Sequence, residues 1–280
     1  MIGAAFGVGF IVGPALGGWL GSYNPRLPFW VAAAGSLLNA CYGLFVLPES
    51  LAPEKRQAKM QWKNANPLGA LRLLRSHTEL LGLAAVNFFG YVAHEVYLTV
   101  WILYAMYRFN WDQRMVGVGL AVVGIFSILC YSLVVGPTVK WLGERRALLW
   151  GLALAALGFA MYGWAGSTLM FLVAIGVNSF WALAGPTSQS LMTQRVSPSE
   201  QGELQGAIAS LRGIGMVIGP TIFSTTFAYF IAPEHRWPGA PWYLAASMLV
   251  VSLVIAFAVA KGRDQNTVGT TMATAEESAG

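Results

Sequence analysis

Charged side chains are scarce in this chain of 280 residues, since Asp, Glu, Lys and Arg together make up only 10 % of it. Soluble domains carry about 25 % charged residues, and a surface with so few charges does not stay hydrated. Hydrophobic residues, in contrast, make up 56 % of the chain. The composition therefore excludes a soluble enzyme, and it also excludes a disordered regulator.

Cysteine and histidine are few as well. The two cysteines, Cys41 and Cys130, both lie inside apolar segments, where cysteine usually serves as a small buried hydrophobic residue. Two such residues exclude a disulfide framework. The three histidines are far apart in the sequence. We therefore expect no metal site and no cofactor, and we do not expect an enzyme, which would need clustered polar groups.

What the sequence has instead is a series of long apolar segments. A helix needs about 20 apolar residues to cross roughly 30 Å of hydrocarbon. Eight segments approach this length, and we predict an all-α integral membrane protein with about eight transmembrane helices. The predicted spans are residues 2–21, 28–48, 79–104, 115–137, 147–165, 168–192, 204–230 and 241–260.

Six tryptophans lie at or near the ends of these apolar segments. Indole rings at such positions typically anchor a helix at the lipid headgroups. We predict interfacial positions for Trp62, Trp101, Trp111, Trp141, Trp237 and Trp242.

The net charge of +5 is concentrated between the spans, which is typical of membrane topology and not of nucleic-acid binding. Twelve Lys and Arg residues fall on one side of the membrane and four on the other. The positive-inside rule therefore places the loop at 49–78 and the C-terminus in the cytoplasm. The twelve are Lys55, Arg56, Lys59, Lys63, Arg72, Arg75, Lys140, Arg145, Arg146, Arg195, Lys261 and Arg263, and the four are Arg26, Arg108, Arg114 and Arg236. The polar tail at 261–280 is predicted to be disordered.

A short glycine and proline motif occurs twice. Gly9-x-x-x-Gly13-Pro14 lies in the first span, and Gly215-x-x-x-Gly219-Pro220 lies in the seventh, 206 residues later. A displacement of six spans is what two parallel six-helix halves would show. Glycines four residues apart let another backbone approach closely, and proline removes a helix hydrogen bond and bends the segment. The alternative is that such glycine pairs are common in any membrane helix.

Four segments resemble motifs of the major facilitator superfamily, specifically of its tetracycline-efflux branch of drug/proton antiporters. The first motif copy, which continues to Gly17 and Gly18, resembles the antiporter motif of the superfamily's fifth helix. The segment at 197–206 resembles the branch's connection between helices ten and eleven, and the segment at 108–117 resembles its loop between helices seven and eight. The segment at 136–146 is similar to the superfamily's second glycine-rich basic loop, between helices eight and nine.

The resemblance implies a major-facilitator-type helical bundle whose spans correspond to family helices 5–12. Residues 1–48 would be the last two helices of the N-terminal half, residues 49–78 the cytoplasmic loop between the halves, and residues 79–260 the six-helix C-terminal half. Family helices one to four would be absent. We therefore expect either a truncated or mis-started chain or a remnant.

The function implied by the resemblance is proton-coupled efflux of a small amphipathic compound, such as a tetracycline-like drug, by alternating access. The partners would be this substrate, protons and the lipid bilayer of the cell inner (plasma) membrane. Two alternatives stay open: a non-transporting membrane fragment, and a major facilitator for another small solute.

Ionisable residues inside spans are costly and are candidates for function. His94 and Glu95 lie in the third span, and Arg212 lies in the seventh. A partly desolvated Glu95 would suit alternate binding of protons and a cationic substrate. Because neighbouring residues point about 100° apart on a helix, only one of His94 and Glu95 can face a narrow cavity squarely. The alternatives are a wetted, structural position near the outer mouth for this pair, and snorkelling of Arg212 towards the cytoplasmic headgroups.

Two further groups of residues are candidates. Asn178 and Trp181 share a helix face and would line a cavity with one polar and one aromatic group, although interhelical hydrogen bonding is the alternative for Asn178. The segment that contains Gly143, Arg145 and Arg146 is expected to set orientation and bond helix ends. The family resemblance assigns this segment to the gate between the halves.

Residues 1–280 expressed alone are expected not to transport, because the resemblance implies that part of the central cavity comes from helices outside this sequence. Cells that express this chain should accumulate tetracycline to the same level as cells that carry an empty vector. Proton-dependent efflux from cells expressing residues 1–280 alone would contradict this expectation.

Overall fold

The computed structural model describes residues 26–47 and 78–259 continuously, together with Leu73, Leu74 and some of the residues between 9 and 24. Most of the described residues are helical. The helices, in chain order, are α1 (Leu27–Phe45), α2 (Thr78–Phe109), α3 (Gln113–Leu129), α4 (Val135–Trp164), α5 (Thr168–Asn178), α6 (Ala184–Thr193), α7 (Gln201–Ile231) and α8 (Ala240–Val259). A π-helical turn, Cys130–Val134, joins α3 to α4, and a 3-10 turn, Ser179–Leu183, joins α5 to α6.

Five helical stretches of the described chain are long and apolar enough to cross a membrane. They are Leu27–Phe45, Gln113–Trp164, Thr168–Thr193, Gln201–Ile231 and Ala240–Val259. The 52-residue stretch Gln113–Trp164 contains two of the predicted spans. The 32-residue α2 is not among the five, but it packs inside the same bundle, against α7 and α8.

The helices from α2 onwards form one bundle. Helix α8 packs against both α2 and α4, α4 packs against α5 and α6, and α3 packs against α5. This is the region predicted to be a six-helix half. Leu73 and Leu74 are helical and buried in the core, so this end of the predicted loop at 49–78 joins the bundle. The described residues of α1 include none that is buried, and its large apolar side chains are exposed.

The polar segments found in the sequence start the helices. The side chain of Asp112 accepts a hydrogen bond from the backbone N–H of Met115 at 2.8 Å, and Ser167 accepts one from Met170 at 3.3 Å. Each bond satisfies a donor that the first turn of a helix leaves free. The connections before α3 and α5 are therefore fixed by local capping.

The predicted loop between the fourth and fifth spans is shorter than expected. Helix continues up to Gly143, whose φ of 76° and ψ of 163° interrupt it, and helix resumes directly afterwards. This backbone conformation is essentially restricted to glycine because a Cβ would clash. One glycine therefore separates the two spans.

Three tryptophans predicted to be interfacial are instead part of the core. Trp101, Trp111 and Trp242 are at most 5 % exposed and pack with Phe171 in an aromatic cluster between α2, α5 and α8. The prediction was wrong for these three because a position near a segment end does not show whether the side chain faces lipid or a neighbouring helix. Trp141 and Trp237 are exposed, in line with the prediction, and Trp62 lies outside the described residues.

Several predictions concern parts of the chain that the structure does not describe. Pro14 and Gly18 of the first motif copy lie outside the described residues. So do most of the loop at 49–78 and the tail at 261–280.

Candidate functional site

The second copy of the glycine motif forms the contact between α2 and α7. Gly215 and Gly219 are both buried, and their missing side chains leave room for α2. A Cβ on Gly215 would lie 3.3 Å from the Cβ of Tyr91, and a Cβ on Gly219 would lie 2.5 Å from the Cβ and Cγ of Glu95. The close approach predicted from the motif is confirmed for this copy. Pro220 lies inside α7, which continues as a helix to Ile231.

Glu95 and His94 have different surroundings, in line with their positions about 100° apart around the helix. Glu95 is only 6 % exposed and packs against Gly219, whereas His94 is exposed. The burial of Glu95 does not fit the wetted position that was the alternative for this pair. His94 therefore lies on the side of α2 that faces away from Gly219. This side, where His94 is exposed, is called the open side of α2.

Arg212 lies on α7, one helical turn before Gly215, and it is exposed. Its charge interacts with Tyr91, His94 and Glu95. The structure shows no ion pair between Arg212 and Glu95, and the ion pair it does show among the described residues joins Arg195 to Glu79 at 2.8 Å. Arg212 thus adds a positive charge to the region of the two candidate residues on α2 without neutralising Glu95 directly.

Trp181 lies beside His94. The indole ring is half-buried, and its centroid is 5.2 Å from that of the His94 imidazole in an edge-to-face arrangement. Phe159 packs against the same indole at 5.2 Å. Trp181 therefore brings α4, the 3-10 turn and α2 together around the exposed imidazole.

Asn178 serves to bond helices to one another, which was the alternative prediction for it. The side chain is only 5 % exposed, and its Nδ2 donates to the carbonyl oxygen of Ala155 on α4 at 3.2 Å. Its Oδ1 accepts a hydrogen bond from the hydroxyl of Tyr97 on α2. Asn178 therefore does not line an open cavity, although Trp181 on the next turn remains partly exposed.

Tyr97 belongs to this site, although the sequence did not single it out. Its hydroxyl contacts both Asn178 and the hydroxyl of Tyr162, at 3.2 Å in the second case. Its ring lies 5.7 Å from the imidazole of His94. The available signal was spacing, because Tyr97 is three residues after His94 and so shares its side of the helix.

Two residues of the segment expected to bond helix ends, Glu144 and Arg145, make such bonds. The carboxylate of Glu144 accepts hydrogen bonds from Ser190 and, at 2.8 Å, from Gln194 near the end of α6. Arg145 donates to the carbonyl oxygen of Phe257 on α8 at 3.0 Å. Arg146 and Gly143 are exposed. The residues around the break at Gly143 thus tie α4 to both α6 and α8, and a gating role for them stays a prediction.

The first copy of the glycine motif has no comparable contact within the described chain. A Cβ on Gly9, Gly13 or Gly17 would have nothing within 4 Å. The prediction that another backbone approaches here therefore remains untested. Within the same described residues, no group of three or more His, Cys, Asp or Glu side chains lies close enough to hold a metal ion.

Comparison with known proteins places these helices in a family context. The family model described as Major Facilitator Superfamily matches residues 1–220. The class C tetracycline resistance protein of Escherichia coli is 33 % identical over 258 residues, which cover 90 % of this chain and 63 % of that protein. Human hippocampus abundant transcript 1 protein is 25 % identical over 285 residues, which cover 91 % of this chain and 58 % of that protein. The chain spans a little under two thirds of the length of these relatives.

A solved structure shows the same fold. The crystal structure of the human organic anion transporter MFSD10 (TETRAN) matches with a TM-score of 0.73 and 23 % sequence identity. The match covers 91 % of this chain and 62 % of that chain. The predicted all-α bundle of the major facilitator type is confirmed.

Gly219→Ala should weaken the contact between α2 and α7, because the new methyl group would overlap the side chain of Glu95. We expect the free energy of unfolding in detergent to fall by about 1–3 kcal/mol, the usual cost of forcing extra atoms into a packed contact. The matched control is Gly213→Ala on the same helix, where a Cβ would have nothing within 4 Å. Equal thermal unfolding midpoints for the two variants would show that Gly219 is not a tight contact.

Proposed function

Because this chain belongs to the Major Facilitator Superfamily, we propose that it acts in proton-coupled efflux of a small amphipathic compound of the tetracycline type. Transport would follow alternating access between two helical halves. The observation that carries the proposal is the similarity to tetracycline resistance proteins along 90 % of this chain. The protein crosses the membrane several times, and we place it in the cell inner membrane.

The proposed orientation puts the C-terminus and the loop at 49–78 in the cytoplasm. This proposal is supported by the distribution of Lys and Arg, with twelve on that side and four on the other. It places the contacts of Glu144 and Arg145 at the cytoplasmic end of the bundle, where they would hold α4, α6 and α8 together.

The proposed site for proton coupling is Glu95. A carboxylate that is buried between two helices is more stable neutral, and one that meets water is more stable charged. Alternating access opens the bundle to water first on one side and then on the other, so water that reaches the contact at Gly219 would favour the charged form of Glu95 and release its proton. Exclusion of water from this contact would favour uptake of a proton. The burial of Glu95 against Gly219 supports this role.

The proposed site for the substrate is the open side of α2. His94 is exposed there and Trp181 is half-buried, so an imidazole and an indole are available to an amphipathic ring compound. Arg212 contributes positive charge close by. Glu95 lies one residue away from His94 on the helix, so substrate contact and proton binding would use neighbouring positions of α2.

A chimera tests the proposal without requiring this chain to act alone. The segment of the class C tetracycline resistance protein that aligns with this chain is replaced by this chain, and tetracycline accumulation is measured in cells. We expect lower accumulation than with an empty vector, restored by a protonophore. Glu95→Gln in the chimera should reduce efflux by about tenfold or more, equivalent to at least about 1.4 kcal/mol on the rate-limiting step.

The matched control is Glu234→Gln, which removes an exposed carboxylate in the connection between α7 and α8. It should leave efflux unchanged at equal amounts of protein in the membrane. A chimera that reaches the membrane but exports no tetracycline would overturn the proposed substrate. Unchanged efflux and unchanged protonophore sensitivity in Glu95→Gln would remove Glu95 from the mechanism.

A further inference from the structure

We propose that Tyr97 is a positioning residue: through Asn178, its hydroxyl fixes the 3-10 turn that carries Trp181 and so sets the contact between Trp181 and His94. This inference deepens the proposed function, because it concerns the same open side of α2.

The hydrogen bonds hold the Asn178 side chain at both ends of its amide group. Nδ2 donates to the carbonyl oxygen of Ala155, and Oδ1 accepts from the hydroxyl of Tyr97. The residue is only 5 % exposed, so water does not easily replace either partner. The orientation of the amide is therefore set by one bond to α4 and one bond to α2.

Asn178 occupies the position where the local geometry changes. It is the last residue of α5, and the 3-10 turn Ser179–Leu183 begins directly after it. A 3-10 segment has poorer hydrogen-bond geometry than an α-helix and is seldom stable on its own in the middle of a helix. A side-chain bond immediately before the turn is suited to hold that segment in place.

The junction lies in close contact with α4. A Cβ on Gly158 of α4 would lie 2.6 Å from the Cβ and 2.7 Å from the Cα of Asn178, so the two backbones are in close contact. Small residues such as Gly158 let two helices approach this closely. The hydrogen bond from Tyr97 adds a bond from α2 to this junction.

Trp181 is the residue whose position depends on this hydrogen bond. It lies three positions after Asn178, inside the 3-10 turn, and its ring meets the imidazole of His94 at 5.2 Å. His94 in turn lies three residues before Tyr97 on α2 and contacts the Tyr97 ring at 5.7 Å. Side-chain contacts thus run from Asn178 to Tyr97, then to His94 and then to Trp181. The backbone of the 3-10 turn joins Trp181 to Asn178. Loss of the Tyr97 hydroxyl removes the hydrogen bond that links α2 to Asn178.

The test compares Tyr97→Phe with Tyr104→Phe in the complete 280-residue chain, purified in detergent and labelled with 5-fluorotryptophan. Tyr104 is a matched control because it lies two turns further along α2 and its hydroxyl also bonds across the bundle, to the carbonyl oxygen of Tyr162 at 2.9 Å. The fluorine resonance of Trp181 is assigned from its loss in Trp181→Phe. Circular dichroism checks that both tyrosine variants keep their helical content.

We expect the Trp181 resonance to shift or broaden in Tyr97→Phe and to keep its position in Tyr104→Phe. An unchanged Trp181 resonance in Tyr97→Phe would overturn the inference. Equal changes in both variants would also overturn it, because they would show a general loosening of the bundle. This comparison needs no ligand, so it is decided independently of the proposed function.

The chimera is then titrated with tetracycline, because it supplies the helices expected to complete the cavity. If the proposed function is correct, tetracycline moves the Trp181 resonance of the chimera, and Tyr97→Phe raises the dissociation constant about tenfold over that of Tyr104→Phe. Equal dissociation constants in the two variants would contradict a role for Tyr97 in preparing the substrate site. If tetracycline moves no resonance of a chimera that reaches the membrane, the proposed substrate fails, while the ligand-free comparison still decides the role of Tyr97.

Discussion

The contact between α2 and α7 at Gly215 and Gly219 is the constraint on which the candidate site depends. Lipid is as apolar as the helix surfaces, so helices in a membrane associate through close packing and not through the exclusion of water. Two glycines on one side of α7 allow that packing, and they fix which residue of α2 faces inwards. Glu95 is buried as a result, and His94 is turned to the open side.

A second close contact, between Gly158 and Asn178, lies directly before the 3-10 turn whose Trp181 packs against His94. It brings α5 against α4 at the place where the helix becomes a 3-10 turn. Tyr97 links this junction back to α2. One glycine contact thus holds α2 against α7, and the other holds α5 against α4. Glu95 is buried at the contact with Gly219, and Trp181 lies in the 3-10 turn that begins after Asn178.

The features that could be predicted from the sequence are those that depend on composition and spacing. Long apolar segments indicate spans whatever their neighbours are, and Gly219 stood out because the same motif occurs earlier in the chain. The sequence missed features that depend on which helix lies alongside. Trp101 is buried by residues distant in the sequence, and the bond from Tyr97 to Asn178 joins residues 81 positions apart. The helical spacing indicated that only one of His94 and Glu95 can face a narrow cavity, but it could not show which one does.

Disulfide trapping measures the register of α2 against α7 directly. In a chain with Cys41→Ala and Cys130→Ala, the pair Tyr91→Cys and Gly215→Cys should cross-link on mild oxidation. The two Cβ positions are 3.3 Å apart, so a small outward shift brings them into the range of about 3.5–4.5 Å found in disulfides. The control pair Leu98→Cys and Gly215→Cys should not, since Leu98 is exposed and two turns away. Mass spectrometry of the digested protein identifies the linked peptides. A linked Tyr91→Cys pair alone supports the burial of Glu95 against Gly219, and failure of that pair to link, or equal linking of both pairs, would contradict it.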